Sequence, residues 1–196
     1  SEMCIRDRCS ACSLLLVERS VYEDENFRSK LKDAATSLKT GSVWNAGNIV
    51  GPMITNKNDK LLQAFNLEPG ESWLVPPRFI DRREYILAPT VKWGVKPESF
   101  SFRTELFGPL LSVACIENLE EGIRLVNGLD YGLTSGLQSL DEKEQKLWKN
   151  SVMAGNLYIN RGITGAIVNR QPFGGMKLSA FGGGIKAGGP NYCTCF

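Results

Sequence analysis

Cys9 and Cys12 share a Cys-x-x-Cys frame inside RCSACSLLLV, residues 8–17, a stretch that runs directly into an apolar, strand-like segment. That spacing serves three chemistries: half of a four-thiolate zinc site, a dithiol redox pair, or a single thiolate nucleophile beside a bystander. A zinc site needs a second pair. Cys193-x-Cys195 is the candidate, although the spacing is tight for that role and no second Cys-x-x-Cys occurs. Cys115, inside LLSVACIE, reads as a small core residue. The chain has no histidine, which removes Ser-His-Asp triads, Cys-His dyads and histidine-ligated zinc catalysis from what it does on its own.

Composition narrows the partners. Lys and Arg exceed Asp and Glu by only two and are scattered among them, so neither nucleic acid nor an anionic membrane is indicated. No run of 18 apolar residues occurs, and the N-terminus lacks a positive-then-apolar layout, so a soluble, cytoplasmic protein with reduced thiols is expected. The 196 residues suffice for one ordinary domain or a large piece of a bigger one.

The elements that would position the cysteines follow from pattern. SLLLV reads as a strand, and residues 23–38 place Phe27, Leu31, Ala35 and Leu38 at helical spacing behind an acidic first turn. TGSVWNAGNIVGPMI is a Gly-rich turn region, and a short helix is expected from Asn56 to Phe65. SWLVPPRFIDR and YILAPTVKWGV read as two strands. Beyond them, a strand in ELFGPLLSVACIE, a helix over 118–127, a strand in GLTSGLQS, a helix over 141–152 and the strand GNLYIN alternate. Such alternation predicts an α/β fold with a doubly wound, mostly parallel sheet, whose ligands are expected beyond the carboxyl ends of the strands. The last 36 residues are dense in glycine and poor in periodicity, which suits either a functional loop or a tail wrapping the domain.

Four ordered stretches, RCSACS, VGPMI, ELFGPLLSV and QPFGG, resemble the aldehyde dehydrogenase superfamily. The longer GNLYINRGITGAIVNRQPFGGMKLSAFGGGIKAGGPNY is similar to the glutamate-γ-semialdehyde dehydrogenases (Δ1-pyrroline-5-carboxylate dehydrogenases), including the dehydrogenase module of bifunctional proline-utilisation enzymes. The resemblance implies that Cys9 is the catalytic nucleophile and Cys12 has no assigned role. The Cys9 thiolate would attack the aldehyde, hydride would pass to NAD, and water would hydrolyse the thioester. It further implies cofactor contacts at Glu105, on the nicotinamide ribose hydroxyls, and at Phe107, beside the nicotinamide ring. On local sequence alone these two read as a turn carboxylate and a core phenylalanine.

Substrate contacts are implied at Ser10, at Gly165 and Ala166 through their backbone N–H groups, and at Phe173, which would line the aldehyde entrance. Arg161 and Arg170 flank that loop and read most simply as solvated arginines. The implied reaction is NAD-dependent oxidation of L-glutamate γ-semialdehyde to L-glutamate in proline catabolism, by a parent enzyme that is homo-oligomeric. An aldehyde dehydrogenase for another aldehyde is the nearest alternative, and a non-catalytic cysteine-rich or zinc module is the alternative of a different class.

In the family the nucleotide-binding region and the general-base glutamate precede the catalytic cysteine. The chain is therefore expected to be a C-terminal fragment, inactive alone, with residues 1–8 (SEMCIRDR) foreign to the family, 9–177 part of the catalytic domain, and 178–196 an incomplete Gly-rich tail.

Overall fold

The computed structural model describes residues 9–55, 58–81, 83, 85–164, 166, 170–181, 186–189 and 192–195, and it resolves into two compact units that divide between Asn118 and Leu119. The first unit holds, in chain order, β1 (Leu14–Glu18), α1 (Arg19–Tyr22), α2 (Glu25–Ser37), α3 (Asp59–Ala64), β2 (Ser72–Val75), β3 (Phe79–Asp81), β4 (Ile86–Leu87), β5 (Thr90–Trp93), α4 (Phe100–Arg103) and β6 (Leu110–Ile116). Its principal sheet has the strand order β1-β6-β5-β2. The first three strands are parallel and β2 is antiparallel to β5, which is the mostly parallel sheet expected.

Both faces of this sheet are covered, as a parallel sheet requires. On one face Val17, Val91, Trp93 and Val113 pack with Phe27, Leu31 and Ala35 of α2. Asp24 caps α2, its carboxylate accepting from the Asn26 N–H at 2.8 Å. On the other face Leu110 and Leu87 pack with Leu61 and Ala64 of α3. The helix expected from Asn56 starts later, at Asp59, because Asn58 is its cap and accepts from the Leu61 N–H at 3.0 Å. The stretches SWLVPPRFIDR and YILAPTVKWGV each form two strands rather than one. Pro76, Pro77 and Pro89 interrupt them by withholding an N–H from the ladder, and the outer halves pair as the separate β3–β4 hairpin.

A lysine occupies the second core. Lys92 alternates with Val91 and Trp93 on β5, so its side chain falls on the α3 face, where it is 1% exposed. Its ammonium donates to the Asn66 carbonyl and to Glu71 Oε2, both at 2.9 Å, and lies over the Trp73 ring at 5.5 Å. Burial alone would push the Glu71 carboxyl up. The Glu68 N–H and the Lys92 ammonium outweigh it, and the carboxyl sits below its ordinary range. Glu68 in turn accepts from the Phe100 N–H at 2.9 Å, which ties the first residue of α4 to the same polar knot.

The second unit holds α5 (Leu119–Asn127), β7 (Tyr131–Gly132), β8 (Thr134–Leu137), α6 (Glu142–Ser151), β9 (Asn156–Ile159), β10 (Met176–Lys177) and a 3-10 turn at Tyr192–Cys195. Strands β8 and β9 pair in parallel, and Leu137, Leu157 and Ile159 pack against Ile123, Trp148 and Val152 of the helical layer. The Gly-rich segment is not wholly irregular. β10 pairs antiparallel with β7, and Lys177 Nζ donates to the carbonyls of Val126, Asn127 and Leu129 at 2.8–3.1 Å, closing the C-terminal end of α5. Among the described residues no helix is long and apolar enough to cross a membrane.

Three outcomes follow from these contacts. Because the native Glu71 carboxyl is held low, its contribution to stability is complete above the ordinary glutamate value of about 4.3 and is lost as pH falls through the native value. Urea titrations between pH 3 and 7 are expected to show that slope in the wild type and a shallower one in Glu71→Gln. Lys92→Met strands the buried carboxylate and is expected to cost about 3–5 kcal/mol at neutral pH. Asn58→Ala removes a helix cap together with a donor to the carbonyls of Leu106 and Phe107, and is expected to cost about 1–2 kcal/mol and to raise amide exchange at Leu61.

Candidate functional site

Cys9 stands five residues before Leu14, the first residue of β1, and Glu105 stands five before Leu110, the first of β6. Since β1 and β6 are hydrogen-bonded parallel neighbours, with Leu14 opposite Ser112, the segments that lead into them run side by side. Cys9, Cys12, Glu105, Phe107 and Gly108 accordingly line one cleft of about 60 Å³. The cleft lies at the amino-terminal ends of these strands, not beyond their carboxyl ends as the general rule for open α/β sheets suggested. The residues expected to carry chemistry sit in the segments entering the strands.

The cleft keeps its reactive groups accessible. The thiol of Cys9 and the carboxylate of Glu105 are exposed, while Ser10, next to Cys9, is buried. Cys12 is also a free thiol, and its Sγ donates to the Leu14 carbonyl at 3.5 Å, a local tie to the start of β1. Phe107 is 40% exposed and takes a left-handed backbone conformation, φ 47°. A non-glycine residue held there stores strain of roughly 1–2 kcal/mol, which its surroundings must offset.

Two residues that sequence reasoning passed over supply the offset. Asn58 Nδ2 donates to the Leu106 carbonyl at 2.5 Å and to the Phe107 carbonyl at 3.5 Å, while its Oδ1 caps α3, so one amide holds both the helix start and the turn of the cleft. Gly108 lies so close to Leu61 that a Cβ would stand 2.6 Å from Leu61 Cδ2. The available signals were the asparagine in front of the apolar-periodic DKLLQA and the glycine within ELFGP.

The remaining expected contacts belong to the second unit. Ala166 and Phe173 are half-buried, and Phe173 exchanges two backbone hydrogen bonds of 2.8 Å with Ala187. Gly165 lies outside the described residues, as do Cys4 and the side chain of Cys195. Arg170 is exposed, and Arg161, also exposed, stacks its guanidinium over the Tyr158 ring at 5.3 Å. Among the described residues no group of three or more cysteine, aspartate and glutamate side chains is placed to hold a metal. A larger cavity of about 280 Å³ in the first unit, bordered by Leu38, Lys39, Val75, Arg78 and Pro89, is lined by neither a cysteine nor a carboxylate among the described residues.

Comparison with known proteins shows what the chain is similar to. The chain is 32% identical over 187 residues to 1-pyrroline-5-carboxylate dehydrogenase of Geobacillus kaustophilus, covering 94% of this chain and 36% of that protein. Against the Staphylococcus haemolyticus enzyme of the same name it is 33% identical over 193 residues, covering 96% and 36%. Among solved structures, Proline Utilization A (PutA) from Corynebacterium freiburgense superposes with a TM-score of 0.89 at 43% identity, covering 95% of this chain and 19% of that one. Thermus thermophilus 1-pyrroline-5-carboxylate dehydrogenase superposes at 0.85 with 31% identity, covering 97% and 36%, and a Thermus enzyme of that name has been solved with bound NAD. The chain thus spans little more than a third of the length of the curated relatives it matches. Residues 6–196 match the family described as Aldehyde dehydrogenase family, and the chain, with its cleft of Cys9, Glu105 and Phe107, belongs to that family.

Proposed function

We propose that this chain supplies the nucleophile, one cofactor edge and the aldehyde-binding loop of an NAD-dependent dehydrogenase that oxidises L-glutamate γ-semialdehyde to L-glutamate. The observation that carries the reading is the exposed Cys9 thiol in one small cleft with Glu105 and Phe107. Resemblance at about 30% identity to enzymes named for 1-pyrroline-5-carboxylate supports the choice of substrate class.

The chemistry asked of each residue suits its position. The Cys9 thiolate adds to the aldehyde carbon, giving a tetrahedral thiohemiacetal whose oxyanion the Cys9 backbone N–H helps to hold. The hydride leaving that carbon would be accepted by a nicotinamide cofactor bound beside Glu105 and Phe107. The resulting thioester is hydrolysed by water, which returns the thiol and releases the carboxylic acid. The cleft residues would hold only the reactive end of the cofactor, its nicotinamide and ribose, beside the reacting carbonyl. Within that limit the Glu105 carboxylate is suited to accept from two ribose hydroxyls, and Phe107 to border the nicotinamide. By resemblance to the family, the substrate contacts are assigned to Ser10, to Gly165 and Ala166 through their backbone N–H groups, and to Phe173, and the α-carboxylate of an amino-acid aldehyde is assigned to the loop N–H groups.

In the full-length protein carrying this chain, NADH is expected to form with glutamate γ-semialdehyde far faster than with a simple aliphatic aldehyde. Cys9→Ser is expected to lower the rate by several orders of magnitude. Equal rates with the two aldehydes would overturn the substrate, and activity that survives Cys9→Ser would overturn the nucleophile. With iodoacetamide, Cys9 is expected to alkylate faster than the partly buried Cys115, as peptide mapping would show.

A further inference from the structure

Leu157 and Ile159 of β9 face the helical layer, so the alternate residues Asn156 and Tyr158 face the other way. Asn156 is 3% exposed, and both ends of its carboxamide are hydrogen-bonded. Nδ2 donates to the Pro172 carbonyl at 2.9 Å and Oδ1 accepts from the Gly174 N–H at 3.1 Å. The two bonds straddle Phe173. Their polarity leaves no choice of orientation, since Pro172 offers only an acceptor there and Gly174 only a donor. The side chain therefore acts as a third peptide group laid along residues 172–174, on the side away from the Phe173–Ala187 bridge. Two further contacts tighten the same place. Lys186 Nζ donates to the Gly155 carbonyl, and the Gly155 backbone is pressed so closely on Gly174 and Gly175 that a Cβ at 155 would overlap them.

We propose that Asn156 is a positioning residue for aldehyde selection: by fixing the peptides on both sides of Phe173 it sets the direction of the Phe173 ring. The proposal rests on the reading that Phe173 borders the aldehyde entrance. With one bond lost, the segment keeps its Ala187 bridge but gains freedom about Phe173, and the ring no longer excludes aldehydes of the wrong shape. Asn156→Asp keeps an acceptor for the Gly174 N–H and sets a second oxygen against the Pro172 carbonyl. Asn156→Ser is neutral and too short to reach both partners.

The test compares kcat/KM for glutamate γ-semialdehyde and for propionaldehyde in the full-length protein carrying this chain, in wild type, Asn156→Asp, Asn156→Ser, Phe173→Ala and the Asn156→Ser/Phe173→Ala double variant. A positioning role predicts that the selectivity ratio falls by about tenfold in Phe173→Ala and in whichever Asn156 variants fold. It also predicts that the double variant falls no further than Phe173→Ala alone, because both changes act through one ring. If Phe173→Ala shifts the ratio while the Asn156 variants leave it within twofold of wild type and change only the melting temperature, Asn156 merely holds the fold and the proposal is overturned. If Phe173→Ala itself leaves the ratio unchanged, the entrance reading fails and this proposal fails with it. A full additive loss in the double variant also overturns it, since Asn156 would then act elsewhere.

Discussion

The parallel pairing of β1 with β6 is the constraint on which the cleft depends. Among the described residues no hydrogen bond or ion pair joins Cys9 to Glu105; they meet because the strands they precede are hydrogen-bonded in one register, Leu14 to Ser112 through Glu18 to Ile116. A strand's side chains alternate between faces, so a slip of one residue would turn Val17 and Val113 out of the α2 core. Burying each aliphatic side chain of that core contributes roughly 1.5–3 kcal/mol. The apolar packing on the sheet therefore enforces, at a distance, the juxtaposition of thiol and carboxylate.

The opposite face adds directionality. An ion pair as buried as Lys92 with Glu71 is weak evidence for net stability, because desolvating two charges offsets most of their attraction. Its geometry does specify an arrangement, since the ammonium is satisfied only when the turn at Asn66 and Glu71 lies against β5. Through Glu68 that turn also holds the N-terminus of α4, and the chain leaving α4 passes directly into Glu105. Asn58 fixes the far side of the same segment from the start of α3. The cleft residues are thus suspended between two polar anchors, with Phe107 in a backbone conformation it would not adopt unaided.

Much of this could be read from the residues. Helix α2 follows from the spacing of Phe27, Leu31 and Ala35 and from Asp24 in front of them, and α6 follows in the same way from Asp141. The alternation of strands and helices in the second half points to parallel pairing, and β8 with β9 pairs so, while β6 joins β1 and β5 in the principal sheet. Legibility fails where interactions are non-local. Nothing in PTVKWGV says that its lysine is buried, because the partner is a glutamate brought near by the fold. Nothing local in SWLVPPRFIDR says that its second half leaves the main sheet to pair with residues 86–87. The cleft residues were identified through four ordered motifs rather than chemistry alone, since Glu105 and Phe107 look ordinary in isolation. Their meeting with Cys9 depends on a strand pairing that separates them by nearly a hundred positions in sequence.

The close approach of Gly155 to the Gly174 backbone bears on how this region can diversify. Saturation mutagenesis read out by activity would mark position 155 as strictly constrained, and a map drawn from such data would colour it as part of the active centre. The constraint is purely steric: two main chains occupy the space a methyl group would need. Variation in this region must then come from side chains that project from the junction, while the junction itself stays fixed. Positions 155 and 174 are better treated as fixed scaffold in any library, and diversity is better spent on their neighbours.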